Sequence, residues 1–435
     1  MEVMIERILP GGLGLAHAEG KTIMVALAAP GDRLRVRIDR VKGNVSFALI
    51  EEIISPSPYR VEPPCPYFGR CGGCDFQQMS YQAQLEAKAE IIRDCLRRLG
   101  RIESVTDFQV TPAPNAWHYR SRAQWQHDSI RQRLGYFESG TRSVCDVADC
   151  AVLAPLLQQT LEGLRSRMRD GSLPEDVRDI RAVLGDDGVS IAAPVLGKSS
   201  NAGDGSAERG SSPTTGPPAG QPGWGGAVRE GSVFERRGVP DITRTIHGET
   251  YHLNAESFFQ ANDDLSPQLI DSAVDGAGGE TAIELYCGVG LFTLPLTRRF
   301  THVVGIEGDR TAAAFARTNL SHAGLTNAQI VNQDVGRWLA EITESASAKA
   351  AALKDRLDFL LLDPPRTGAE SRVVAGILKL KPKRICYVSC DPATLARDLK
   401  KLIAGGYTLQ TIAAFDMFPQ THHVETVVQL IRESY

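Results

Sequence analysis

The chain has 435 residues, 42% hydrophobic and 23% charged, with a formal net charge of −4; these are globular values with room for two or three domains, and they exclude a uniformly basic nucleic-acid binder, so any basic surface must be local. No run of about 18 apolar residues occurs, so no transmembrane helix and no membrane partner is expected. The segment Met1–Arg7 lacks the basic-then-apolar pattern of a secretory signal, so a cytoplasmic protein is expected.

Residues 1–54 read as a small β-barrel. Short runs such as Ile23–Leu27 and Leu34–Ile38 are set off by turn signals at Gly11-Gly12, Glu19-Gly20 and Lys42-Gly43. About five strands in such a span suit an OB-like barrel, a fold often used for oligonucleotides. The pattern resembles the TRAM domain attached to some RNA-modifying enzymes, although a small β-module without a ligand fits the same text.

Nine cysteines are present, and three crowd into Cys65-Pro66-Tyr67-Phe68-Gly69-Arg70-Cys71-Gly72-Gly73-Cys74. In a reducing compartment that crowding points to metal or catalysis, not to disulfides. Gly72 and Gly73 let the backbone wrap closely. A fourth thiolate has to come from elsewhere: Cys150 is the better candidate and Cys145 the other. Four cysteines suit zinc or an iron–sulfur cluster, and the spacing is not that of a paired zinc ribbon.

Gln82–Arg98 has helical periodicity, with Leu85, Ala89, Ile92 and Leu96 on one side. From Val110 to Ala151 β patterns return. The stretch His118–Trp125 mixes basic and aromatic residues, so one strand face can hold phosphates while the other stacks or packs; a solvated edge strand is equally compatible. The Gly-, Ser- and Pro-rich residues 197–232 cannot bury a core and read as a disordered insertion. Residues 55–253 thus form a central α+β domain around the cysteines.

From residue 254 onward helix and strand alternate. Strands are expected at Thr281–Tyr286, His302–Glu307, Ala328–Asn332, Phe359–Asp363, Arg384–Ser389, Tyr407–Phe415 and Val424–Ile431. Such alternation argues for an α/β fold with a doubly wound, Rossmann-like parallel sheet, here closed by an antiparallel hairpin. The turn Glu284-Leu285-Tyr286-Cys287-Gly288-Val289-Gly290 follows the first strand but lacks the third glycine of a dinucleotide fingerprint. Glu307 ends the second strand, where an acid binds ribose hydroxyls; Asp334 follows the third and faces an adenine; Asp363 ends the fourth. An acid at each strand end, with no phosphate-binding lysine, suits S-adenosylmethionine better than NAD or ATP.

Cys390 closes the strand Arg384–Ser389 and precedes the turn Asp391-Pro392 and a helical run from Ala393 to Ala404. A cysteine so placed can be a nucleophile, whereas Cys386, inside the strand, reads as core. A pyrimidine C5 is a poor nucleophile until a thiolate adds at C6, and a base must later remove the C5 proton. The N-terminus of the following helix is expected to help Cys390 ionise, and Glu425 is the candidate base. Asp363-Pro364-Pro365 occurs in amino-methylating enzymes too, but these place an aromatic residue where this chain has Arg366. An RNA amino-methyltransferase would not need Cys390, and an RNA-binding scaffold would not take the cofactor.

Ser257-Phe258-Phe259-Gln260, the Glu284–Gly290 turn, Asp363-Pro364-Pro365-Arg366, Ser389-Cys390-Asp391-Pro392 and His422-His423-Val424-Glu425 together resemble the S-adenosylmethionine-dependent RNA uracil-C5 methyltransferases, over nearly the whole chain outside 197–232. The resemblance implies a class I methyltransferase sheet in 254–435, Cys390 as nucleophile and Glu425 as base. It implies a cofactor site lined by Gln260, Tyr286, Glu307, Asp334 and Asp363. It implies a [4Fe–4S] cluster on Cys65, Cys71, Cys74 and Cys150. Barrel and cluster together are most similar to the 23S ribosomal RNA branch, with transfer RNA the alternative substrate, and a monomer is expected. The target base would be extruded from folded RNA, with Arg120, Arg122 and Trp125 as partners for its backbone and stacked bases.

Overall fold

The computed structural model describes residues 1–103, 107–193, 224–228 and 239–433. Among them, β1 (Glu2–Met4), β2 (Arg7–Ile8), β3 (Gly14–Ala18), β4 (Lys21–Val25), β5 (Arg33–Lys42) and β6 (Val45–Ser55) form a six-stranded sheet in the order β1-β5-β6-β4-β3-β2. In β5 the alternation is plain: Leu34 and Val36 point inward, while Arg33, Arg35 and Arg37 point to solvent. Val3, Ile5, Ile23, Val25, Leu34 and Val36 give this unit a core of its own.

Helix α1 (Tyr81–Cys95) is capped by Ser80, whose side chain accepts from the Ala83 amide. It does not run evenly to Arg98 as its periodicity suggests. Leu96–Gly100 widens into a π-turn that ends on Arg101 in the left-handed region. The apolar face of α1 packs against the C-terminal half of the chain rather than the central sheet, with Ile91, Ile92 and Cys95 in one cluster with Leu395 and Leu399. The short β7 (Val110–Thr111) likewise joins the C-terminal sheet.

The central sheet is built from β8 (Arg122–Asp128), β9 (Arg133–Phe137), β10 (Val144–Asp146), β11 (Asp179–Gly185), β12 (Gly188–Ala193) and β13 (Trp224–Val228), in the order β10-β9-β8-β11-β12-β13, with α2 (Pro155–Arg169) against it. Most of the insertion expected at 197–232 lies outside the described residues. Trp224–Val228, however, is a strand, antiparallel to β12. Backbone ladder bonds hold such an edge strand, and a reading of composition does not register them. The hairpin β14 (Ile242–Ile246) and β15 (Glu249–Leu253) leads into the last unit.

There, α3 (Ser266–Ala273), β16 (Gly279–Leu285), α4 (Thr293–Thr297), β17 (Phe300–Glu307), α5 (Arg310–His322), β18 (Ala328–Asn332), α6 (Val335–Glu344), α7 (Ala348–Asp355), β19 (Leu357–Leu362), α8 (Ser371–Leu380), β20 (Arg384–Ser389), α9 (Pro392–Ala404), β21 (Tyr407–Phe415) and β22 (Glu425–Arg432) alternate as the sequence leads one to expect. The sheet order is β18-β17-β16-β19-β20-β22-β21-β7. Strands β16 to β20 are parallel to their neighbours, and β22 runs antiparallel between β20 and β21. Apolar clusters cover both faces of the sheet. The strand order reverses between β16 and β19, so the crevice for a ligand opens at their carboxyl ends.

Candidate active site

At that crevice β16 turns sharply. Tyr286 has φ of 63°, and Gly288 and Gly290 have φ of 54° and 95°. The two glycines serve different ends. A Cβ on Gly288 would stand in open space, leaving the backbone free for a ligand to approach, whereas one on Gly290 would come within 3.3 Å of Leu294 in the packing of the next helix. Glu307, at the end of β17, fixes the turn: one carboxylate oxygen accepts from the Gly288 amide at 2.8 Å and the other from the Asp309 amide at 2.7 Å. Each oxygen keeps a lone pair for a further donor such as a ribose hydroxyl.

Asp334, past the end of β18, is exposed; it caps α6 through the Arg337 amide at 2.8 Å and lies 3.2 Å from Arg372. Tyr286 is half-buried, and burial followed by the nearby Glu370 pushes its phenol up to about 12. Gln260 is buried, 3% exposed, in the segment beside Phe259 that packs over the far face of the sheet. Behind the turn lies Glu284, also buried; it accepts a hydrogen bond from the Thr293 hydroxyl, and burial lifts its carboxyl to about 8.

The second half of the crevice comes from strand register. Ser389 of β20 stands opposite Thr426 of β22. Cys390 and Glu425 adjoin that last pair on neighbouring strands, near enough for the Glu425 charge to act on the Cys390 thiol. Asp363 directly follows Leu362, which pairs with Tyr387 on the other side of β20. The three groups accordingly act on one another. Burial, and then Glu425, push the Cys390 thiol up to about 12, with Asp363 adding to the rise and Arg366 opposing it. Burial lifts Glu425 well above the carboxylate range, aided by Asp363. Half-buried Asp363 is itself lifted to about 7 by burial.

At the N-terminus of the following helix, expected to help Cys390 ionise, burial and neighbouring carboxylates push the thiol up instead. The N-terminus of α9 is occupied by Asp391, whose side chain accepts from the Thr394 amide at 2.8 Å. That carboxylate neutralises the positive end of the helix and adds to the upward shift of the thiol. Arg366 supplies the positive charge instead, facing both Cys390 and Glu425. Sequence reasoning noted Arg366 only as a departure from an aromatic residue. It quoted His423 only within the motif His422-His423-Val424-Glu425 and gave it no role; burial, His422 and Arg366 push that imidazole down to about 2.

A separate group of thiols lies in the central unit. Cys65, Cys71, Cys74 and Cys150 line one small cavity of about 30 Å³, together with Tyr67, Arg120 and Tyr136. Cys145, outside that lining, is buried and accepts from Arg70 Nε at 3.3 Å. Burial pushes Cys71 and Cys74 up to about 12 and raises Cys150 as well. Among the described residues no group of three or more His, Cys, Asp or Glu side chains is gathered tightly enough to grip a metal ion as it stands.

The structure corrects the expected RNA contacts of β8 and the residues before it. Trp125 is wholly buried in the central core and cannot stack on a base. Arg120 lines the cysteine cavity, and its Nε donates to the Arg122 carbonyl at 2.9 Å. Arg122 remains beside solvent: it donates to the Ser257 carbonyl at 2.5 Å and lies 5.8 Å from the ring of Phe258, which is 61% exposed. Several basic residues near the C-terminal sheet pair within the chain, Lys383 with Asp358, Arg397 with Asp398 and Lys401 with the Ser371 hydroxyl.

Comparison with known proteins agrees with this geometry. Residues 241–433 match the model of the tRNA (uracil-5-)-methyltransferase family. The chain is 32% identical to the 23S rRNA (uracil(1939)-C(5))-methyltransferase RlmD of Pectobacterium atrosepticum, over 100% of this chain and 94% of that protein. With the RlmD of Alkalilimnicola ehrlichii the identity is 31%, over 100% and 97%. The crystal structure of Pyrococcus abyssi tRNA (uracil-54, C5)-methyltransferase with S-adenosyl-L-homocysteine superposes with a TM-score of 0.70 at 25% identity, covering 99% of this chain and 100% of that one.

Proposed function

The chain belongs to the RNA uracil-C5 methyltransferase family, and we propose that it methylates C5 of a uridine in RNA, 23S ribosomal RNA in the first place, with S-adenosylmethionine as methyl donor and Cys390 and Glu425 as its catalytic residues. The observation that supports the assignment of roles is that Cys390, Glu425 and Asp363 extend three adjacent strands at one end of the sheet and act on one another there. Tyr286, the Gly288 backbone, Glu307, Asp334 and Asp363 stand at successive strand ends and Gln260 in the adjoining segment; they are the residues we assign to the methyl donor.

The Cys390 sulfur adds to C6 of the extruded base, and the electron pair displaced toward C5 takes the methyl group as the donor's methyl–sulfonium bond breaks and its electrons pass to sulfur, leaving S-adenosylhomocysteine. Glu425 then removes the C5 proton, the C5–C6 double bond reforms, and the C6–S bond breaks with its electrons returning to sulfur. Burial and Glu425 disfavour the Cys390 thiolate, so the thiol must first give up its proton to solvent before sulfur attacks. Arg366 then favours the thiolate. A carboxylate formed inside a dry site is also a strong base, as removal of a carbon-bound proton requires.

Four thiols around one cavity fit a [4Fe–4S] cluster, which we assign to Cys65, Cys71, Cys74 and Cys150. Bound there, it would supply iron–thiolate bonds tying residues 65–74 to Cys150. Residues 1–54 would be a TRAM-like barrel, 55–253 the cluster domain, and 254–435 the methyltransferase domain, acting together as a cytoplasmic monomer. Among the described residues no helix is long and apolar enough to cross a membrane.

RNA containing 5-fluorouridine tests the assignment, because fluorine at C5 cannot leave as a proton and the adduct stays covalent. The wild type with S-adenosylmethionine should give a gel-shifted, denaturant-resistant complex. Cys390→Ala should give none while still binding S-adenosylmethionine. Retained methylation by Cys390→Ala would rule the mechanism out.

A further inference from the structure

Glu425 opens β22 directly after the turn 416–424, and that turn is anchored from outside its own sheet. Lys88 of α1 pairs with Asp416 and donates to the Phe418 carbonyl at 3.1 Å. Tyr119 donates to the Pro419 carbonyl at 3.0 Å. Gln84 and Gln420 exchange two hydrogen bonds, the Gln84 amide to Gln420 Oε1 at 2.9 Å and the Gln420 backbone N–H to Gln84 Oε1 at 3.0 Å. The Asp75 and Phe76 amides both donate to the Gln420 carbonyl, at 3.1 and 3.0 Å. Gln420 itself has φ of 69°. A non-glycine residue in the left-handed region persists only where its surroundings over-determine it.

The last of these anchors is closest to the chemistry. Asp75, next to Cys74, accepts from the His422 amide at 2.8 Å through one oxygen and meets His422 Nδ1 at 2.5 Å through the other. The His422 ring lies 4.1 Å, centroid to centroid, from that of His423, and Val424 and Glu425 follow. The N-terminal six-stranded unit closes over the same pair. Gly12 has φ of 78°, and a Cβ there would stand 2.8 Å from the Asp75 carboxylate and 3.2 Å from His422 Nδ1. The loop of that unit, the cysteine loop and the segment carrying the base thus converge on one side-chain pair.

We propose that Asp75 and His422 are positioning residues for the second half of the reaction. They set where Glu425 meets the C5 proton, so the N-terminal units govern release of the methylated product and not only RNA binding. The inference rests on the roles given above to Cys390 and Glu425. Addition of Cys390 and methyl transfer use β20 and the crevice, which these anchors do not touch. Proton removal and departure of the Cys390 sulfur use Glu425, which they hold.

The test compares Asp75→Asn, which keeps an oxygen for the His422 amide but loses the carboxylate, with Gln84→Met, which loosens the same turn far from the cysteines. Single-turnover reactions are run on the full-length, iron-replete protein with uridine RNA and with 5-fluorouridine RNA. The rate of 5-fluorouridine adduct formation should change by less than about twofold, while breakdown of the covalent uridine species slows roughly tenfold or more, as small displacements of a reacting group do. The covalent uridine complex then accumulates on gels, with iron content unchanged. Breakdown at the wild-type rate in both variants would overturn the proposal. Equal slowing of formation and breakdown would overturn it too, since that is general loss of structure. A wild type that forms no 5-fluorouridine adduct would overturn the underlying mechanism, and this inference with it.

Discussion

Lys88 offers a sharp test of how the two halves of the chain are joined. Its side chain is 0% exposed, as is that of its partner Asp416, and the two come from segments 328 residues apart. Burial pushes the lysine pKa down, and Asp416 pushes it back up. Lys88→Met keeps the apolar stem but leaves the Asp416 carboxylate enclosed without its cation and the Phe418 carbonyl without its donor. Removing one partner of a buried pair costs about 3–5 kcal/mol, mostly from the charge left behind. Lys88→Met with Asp416→Leu removes both charges and should recover much of that loss, giving a coupling of about 2 kcal/mol or more. Urea unfolding of the wild type, both single variants and the double variant measures it directly. If Lys88→Met unfolds within about 1 kcal/mol of the wild type, the pair is no stronger than a surface contact and the reasoning fails.

Glu425→Gln should form the covalent complex with ordinary uridine RNA and then stall, so that a gel shift persists where the wild type turns over; rapid product release by this variant would exclude Glu425 as the base. Burial holds the Glu284 carboxyl at about 8, above its ordinary value near ~4.3, so the folded chain keeps a proton that the unfolded chain gives up. Stability contributed this way is complete below the ordinary value and is lost as pH rises to about 8, by up to about 1.4 kcal/mol per unit. Glu284→Gln, which preserves an acceptor for Thr293, should therefore flatten urea midpoints measured across that window, and an unchanged slope refutes the assignment. Cys65→Ser should lower iron content, melting temperature and RNA affinity while S-adenosylmethionine affinity is retained; unchanged melting and RNA binding would sink that prediction.

The cysteine cavity shows how far local spacing reaches. Three of the four thiols sit within ten residues and were plain from the text, where Cys150 was already preferred to Cys145; the structure adds that Cys150 lines the cavity while Cys145 meets Arg70. Trp125 illustrates the opposite failure. An aromatic beside arginines reads equally well as a stacking platform or as core, and only the layer packed against β8 buries it. The ionisation of Cys390 was misjudged for a related reason. A helix N-terminus is visible in sequence, yet its charge depends on whether Asp391 turns back to cap it.

Periodicity and turn chemistry are local properties, so the sequence alone placed the alternating strands and helices, the glycine turn after β16 and the acids at the strand ends. Cys390 and Glu425, thirty-five residues apart in the numbering, could be named from their motifs but not brought together by them. That was decided when β22 inserted antiparallel between β20 and β21, because a strand's register depends on the neighbours it pairs with and not on its own residues. The same holds for the turn before it, whose anchors at Asp75, Gln84 and Lys88 lie more than three hundred residues away in the chain and meet it only in the folded protein.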